Sequence, residues 1–457
     1  MRKATLTGIT VAVGAALALS ACSSSSSTDT TPAPSTSGSE SPSEVALSGE
    51  LLVWDTGLMG KTLEGGAPDM DKSFLDRQAK AFMELHPGLT VKVVQQAGDI
   101  SANSAQFQAA SIAGNGPDIR IQYAGGPTLS FADFFTDLSD VFPQETYDAM
   151  TGWNTVRKNY DPGGELLAMP YGAGLYFTVF SNDKMLKEAG LDPANPPKTW
   201  EEMLANGKVV KEKTGKNAFW MANLEGYVGA WAVGALLGGE LGEQASTDMY
   251  VGKVPVNDPA MVKVYQAWSD LGASGLTNPD AGSVSNGEST AGFVQGKGAY
   301  YLVGSWENAN MEKEFGKDLT SFFIPMLAGA KYPTAVAGGP AIALSITNYA
   351  KNPDAAKEFL RYLSQPEIQD EYVTLNQTEG SNNKNGDPSV ITNRLLQEQT
   401  IGLKDRTPVV FPFDSVMPQS VIDLFYRVNA STFLGKTSAQ DAADQLQAAN
   451  EKELADR

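Results

Sequence analysis

The chain is 457 residues long, with 34 Lys and Arg against 53 Asp and Glu and a formal charge of −19 at pH 7. That balance repels phosphate backbones and anionic lipid headgroups, which excludes a nucleic-acid binder and an electrostatic hold on a membrane. One His and one Cys exclude a Cys–His nucleophile, an internal disulfide and a His/Cys zinc site, and leave only carboxylate pairs for acid–base work.

Residues 1–21 read as an export signal. Met1-Arg2-Lys3 is basic, Leu6 to Ala18 is apolar but too short to span a bilayer, and small residues precede Cys22. Leu19-Ser20-Ala21-Cys22 resembles the lipobox of bacterial lipoproteins, which implies a cut before Cys22 and a diacylglycerol on its thiol. An incidental cysteine in an ordinary signal peptide is the alternative. Residues 22–47, the lipidated Cys and a Ser/Thr/Pro-rich tail, cannot bury apolar surface and read as a disordered linker. No later apolar run reaches about 18 residues, so no transmembrane helix is expected. Roughly 410 residues remain, enough for two domains or lobes.

Glu50 to Trp54 reads as a buried strand. A helix is expected from about Asp71 to Leu85, with Leu75, Ala79, Phe82 and Leu85 inward and Pro87-Gly88 ending it. His86 then sits on the surface at a helix end. Leu89 to Val94 alternates as a second strand, and strand–helix–strand opens an α/β sheet. Thr199 and Glu202 form a capping box, Thr199 accepting from the Glu202 amide and Glu202 reaching back. Gly292 to Gly298 is one residue short of a phosphate loop and lacks Ser/Thr after Lys297; it reads as a loop feeding the strand Tyr300 to Val303. Asn352-Pro353-Asp354 starts a helix with Ala356, Phe359, Leu360 and Leu363 on one face. Asn382 to Asp387 resembles a calcium loop without its closing Glu and reads as a polar surface loop. A last helix follows Gly435-Lys436-Thr437, with Ala439, Ala442, Ala443 and Leu446 inward.

Several segments together resemble family 1 of the extracellular solute-binding proteins, the carbohydrate-binding, maltose-binding-protein-like receptors of bacterial ABC importers. They are Ala113-Gly114-Asn115-Gly116-Pro117-Asp118-Ile119, Met169-Pro170-Tyr171-Gly172 through Ser181-Asn182-Asp183-Lys184, and Glu188-Ala189-Gly190-Leu191-Asp192. Pro196-Pro197-Lys198-Thr199-Trp200-Glu201-Glu202, Gln295-Gly296-Lys297-Gly298-Ala299, Gly304-Ser305-Trp306, Ala337-Gly338-Gly339 and Asn352 to Leu360 continue the series. The resemblance runs from about Ser48 to the C-terminus. It implies a periplasmic-binding-protein-like type II α/β fold, two lobes with a ligand cleft and crossing hinge strands near Leu175, Gly338 and Thr407. Lobe one would hold 48–174 and 340–406, and lobe two 175–339 and 407–457.

A sugar offers C–H patches that stack on aromatic rings and hydroxyls that need fixed donors and acceptors. Trp306 is the leading stacking platform, with a buried core Trp as the plain alternative; Glu307 and Asn308 beside it either bind hydroxyls or are solvated. Glu225, Tyr227 and Trp231 fall where the family carries a carboxylate and aromatics, or else start and underpack a helix. Asp55 and Thr56 follow the first strand, whose C-terminal end points into the crevice; otherwise they cap the next turn. Asp118 is read as structural, with Gln122 and Tyr123 beyond it as contacts. Of Tyr171 and Tyr176, one faces the cleft and the other packs. Gly338 and Gly339 at the second crossing and Asp414 complete the candidate set.

The sequence therefore predicts a lipid-anchored, monomeric, extracytoplasmic receptor that captures a carbohydrate by lobe closure and hands it to an ABC permease. No catalytic residue, metal or cofactor is expected, and the lipid anchor is the only contact with the membrane. The rivals are the same fold binding a polyol, peptide or charged solute, an exported carbohydrate-active enzyme, and an adhesive lipoprotein.

Overall fold

The computed structural model describes residues 46–59, 73–96, 100–175 and 177–456. The leader, Cys22, the linker and Tyr176 lie outside the described residues. From Ala46 onward the chain forms one compact unit. Its strands, in chain order, are β1 (Ser48–Asp55), β2 (Gly88–Gln95), β3 (Ile119–Tyr123), β4 (Met169–Tyr171), β5 (Gly174–Leu175) and β6 (Thr178–Asn182). They continue with β7 (Asn217–Phe219), β8 (Gly298–Val303), β9 (Leu319–Phe323), β10 (Val336–Gly339), β11 (Ile342–Ile346) and β12 (Val409–Val410).

Two sheets anchor two α/β lobes. The first has the order β2-β1-β3-β11-β4, with β1 parallel to both neighbours and β11 antiparallel to its own. Leu51 and Val53 of β1 are fully buried and lie opposite Val91 and Val93, so alternation sets the register. The second has the order β7-β8-β6-β9, and every residue of its β8 is buried, as expected of a strand covered on both faces. Between them β12, β10 and β5 form a three-stranded sheet, in which Gly338 pairs with Leu175 and Gly339 with Gly174.

Helices cover both sheets, with some departures from expectation. The first begins at Phe74, not near Asp71, because Ser73 caps it by accepting from the Asp76 amide. Leu85, the last residue of the helix, is 63% exposed rather than inward. Thr199 does accept from the Glu202 amide, but Glu202 takes the amide of Lys198 instead of reaching Thr199. The reciprocal box forms at Ser285 and Glu288, starting the Asn286–Val294 helix. That helix includes Gly292, so only the residues after Val294 form the loop into β8.

The Asn382 loop is a surface loop only in its second half, where Lys384, Asn385 and Asp387 are exposed. Asn382 and Asn383 are buried and donate to the carbonyls of Thr151, Pro170 and Ser364, supplying donors that a buried irregular backbone needs. From Asn393 the chain packs on the second sheet. Asn393 donates to the Asn308 carbonyl, Arg394 donates to the Leu319 carbonyl, and the Arg406 guanidinium lies over the Phe323 ring at 4.8 Å.

Candidate functional site

Because β1, β2 and β3 run parallel, their C-terminal ends share one edge, and that edge is polar: Asp55 and Thr56, Gln95 and Gln96, Gln122 and Tyr123. Asp55 is fully buried and accepts from the amides of Leu58 and Met59, so it caps the turn after β1. Thr56 donates to the Ile121 carbonyl at 3.1 Å. Gln122 is buried and donates to Ser345 Oγ, while its Oε1 and both side-chain polar atoms of Gln95 lack partners. Buried amides in that state are open to a ligand or water. Tyr123 ends the edge with 37% of its surface exposed. Burial pushes its hydroxyl pKa up, and Tyr227 and then Asp55 add to the shift. The ring ending β3 thus lies within electrostatic reach of a ring from the other lobe.

That opposite side is aromatic. Gly226, at φ +80°, starts the Tyr227–Leu241 helix with the left-handed backbone that favours glycine, and a Cβ there would strike the Tyr426 carbonyl. The close approach sets Tyr227 edge-on to Tyr426 at 4.9 Å. One turn on, Trp231 lies 6.2 Å from Tyr227 and meets Trp306 at 4.8 Å. Trp306 sits in the turn after β8, its ring folded over Gly304, where a Cβ would collide with it. Ser305 accepts from the Leu175 amide and ties this turn to the crossing strand β5. Trp306 is 39% exposed, Tyr227 37% and Trp231 half-buried. Among the described residues, Tyr123, Tyr227 and Trp306 are the three aromatic rings left exposed.

The carboxylates are more occupied. Glu225 accepts from the Asn286 amide and caps the helix that starts there. Glu307 accepts from Thr290 and Asn310. Asn308 is fully buried in a reciprocal amide pair with Gln399. Asp414 differs: its Oδ1 is buried without a partner. Burial pushes its pKa up to about 6, against hydrogen bonds from the backbone and from Tyr426 that favour the charged form.

Other candidates settle into the frame. Tyr171 is fully buried against Phe74 and Tyr372, so the tyrosine that would face the cleft is not this one. Gly338 and Gly339 pair across the crossing sheet, and Gly339, at φ +139°, lies against the Phe411 ring. Asp118 accepts from the amides of Leu52, Lys351 and Asn352, a structural clasp. Sequence reasoning missed Gln95, Tyr426 and Glu379, which accepts from the Tyr372 hydroxyl. Tyr426 lies inside an amphipathic helix, where nothing in the pattern separates it from core. Two surface pockets lie away from the rings. One, of about 380 Å³, is at the N-terminal end of β1 beside Ser48 and Lys351, and one of about 110 Å³ lies beside Pro196 and Tyr300.

An aromatic wall opposite a polar edge with unfilled amide and carboxylate sites suits a ligand with apolar faces and many hydroxyls. Among the described residues no group of His, Cys, Asp and Glu could hold a metal ion, and no helix is long and apolar enough to cross a membrane.

The sequence profile of the family described as bacterial extracellular solute-binding protein matches residues 77–387. A relative, the sn-glycerol-3-phosphate-binding periplasmic protein UgpB of Yersinia pestis, is 24% identical over 314 residues, covering 65% of this chain and 68% of its own. Among solved structures, a protein from work on xylan utilization by Caldanaerobius polysaccharolyticus superposes with TM-score 0.73 at 20% identity, covering 88% of this chain and 99% of its own. The GacH receptor of Streptomyces glaucescens, solved unliganded and with acarbose, superposes with TM-score 0.70 at 22% identity, covering 90% and 99%.

Proposed function

The chain belongs to the bacterial extracellular solute-binding proteins, and from that membership we propose that it is an ABC importer's receptor for a carbohydrate. One observation carries the carbohydrate part. The three exposed rings form one series: Tyr123 ends the polar edge of the first sheet within electrostatic reach of Tyr227, and Trp231 links Tyr227 to Trp306. Exposed aromatics in a cleft have lost burial, and stacking on a sugar's C–H faces restores it.

Ligand held by Gln122 and Tyr123 on one side and by Tyr227, Trp231 and Trp306 on the other favours the lobes drawn together, because only that arrangement makes both sets of contacts. The crossing segments β5, β10 and β12 serve as the hinge, and the permease reads the closed form. No bond is made or broken. Lobe one comprises 48–174 and the segment after 340, and lobe two 175–339 and the C-terminal part, which the contacts of Asn393 and Arg394 extend upstream of 407. Cys22 carries the lipid, and the receptor works as a monomer on a tether outside the cell membrane.

The test is a thermal melt of the mature chain against mono- and oligosaccharides, polyols and short peptides. A ligand at about 100 times its dissociation constant adds roughly 2.7 kcal/mol. An upshift confined to sugars, without turnover, is expected; an upshift confined to peptides would overturn the reading.

A further inference from the structure

We infer that the cleft is charge-selective and that Asp414 selects: with Tyr123, Tyr227 and Tyr426 it admits a glycan that is neutral or carries an ammonium group, and rejects a phosphorylated one. This rests on the receptor reading and names the ligand class of that same site.

Asp414 Oδ1 is buried without a partner and accepts only. A ligand O–H or N–H satisfies it; a phosphate oxygen brings a second negative charge. The groups acting on the surrounding tyrosines include further acids, Asp55 on Tyr123 and Asp414 and Asp423 on Tyr426. Among the described residues no Lys or Arg pairs with Asp414, Glu225 or Glu307. None stacks on Tyr123, Trp231 or Trp306 either. Phosphate recognition calls for cations, and a buried carboxylate oxygen left without a partner opposes it, whereas relatives are named for a phosphorylated polyol. An ammonium group is suited in two ways, by the carboxylate and by the negative faces of the tyrosine rings.

The experiment titrates the mature chain with glucose, glucosamine and glucose 6-phosphate, one scaffold in three charge states, into the tens of millimolar at low salt and neutral pH. Tryptophan fluorescence reports binding through Trp231 and Trp306. Glucosamine should bind tightest and glucose 6-phosphate at least about tenfold more weakly, an interval that added salt narrows. Asp414→Asn should bring the three within about threefold of one another. Glucose 6-phosphate binding as well as glucose, or an unchanged order in Asp414→Asn, overturns the inference and leaves the receptor reading standing. Failure of all three sugars to bind overturns the inference alone, because the receptor reading is judged by the wider panel of sugars, polyols and peptides.

Discussion

The Trp231 and Trp306 rings meet edge to face, with centroids 4.8 Å apart and planes inclined at 70°. The contact fixes an exposed ring with a half-buried one, so Trp306 is held ready before ligand arrives. Trp306→Ala should weaken binding of the sugar identified by melting by about 1–3 kcal/mol, with the melting temperature almost unchanged. Calorimetric titration checks it, and equal affinity would remove Trp306 from the site. Trp231→Ala should cost affinity and stability together, because it supports both Tyr227 and Trp306.

Gly226→Ala tests the opposite wall. A Cβ at this position would meet the Tyr426 backbone, and φ is +80°. Two penalties add, steric and conformational, for a loss on the order of 2 kcal/mol or more. The helix start must shift, which separates Tyr227 from Tyr426. Denaturant unfolding should show the destabilisation, and binding should fall further than stability alone accounts for.

What the sequence shows of this molecule depends on how local the cause is. β1 is legible as a short apolar run, Leu51 to Trp54, and β2 because Leu89, Val91 and Val93 alternate with polar residues. The helix after Asn352 is legible because cap, proline and acid coincide. Tyr123, Tyr227 and Trp306 are found through motifs, and all three are exposed. Asp55 shows the limit: a carboxylate at a strand end suits a ligand or a turn, and only the amides of Leu58 and Met59 decide. Which of Tyr171 and Tyr176 packs is left open, and Asn382 is misread, for a related reason. The burial of Tyr171 and of Asn382 is set by segments far along the chain, Tyr372 for one and Thr151 for the other, which no local pattern reports.

Asp118 separates structure from function. Its two oxygens accept from three backbone amides, joining β1 to the start of the helix after Asn352. Asp118→Ala leaves those donors without an acceptor, for a loss of about 3 kcal/mol. Since it lies toward the edge opposite Tyr123, ligand affinity of the folded fraction should not change. A large affinity loss at normal stability would place Asp118 in the site after all.

Asp414 ties stability to pH. Burial raises its carboxyl to about 6 in the folded chain, against an ordinary value near 4 in the unfolded one. A raised carboxyl binds its proton more tightly when folded. Its contribution is therefore complete below about pH 4 and lost as pH rises through about 6. The full interval is worth on the order of 3 kcal/mol, a few degrees in melting temperature for a chain of this size. Asp414→Asn cannot ionise, and it keeps an oxygen for the Tyr426 hydroxyl. The variant should match the parent near pH 4 and melt higher by those few degrees near pH 7. Parallel melting curves for the two proteins between those limits would show that Asp414 titrates as an ordinary surface carboxyl, and would remove the buried, unpartnered oxygen on which its selectivity depends.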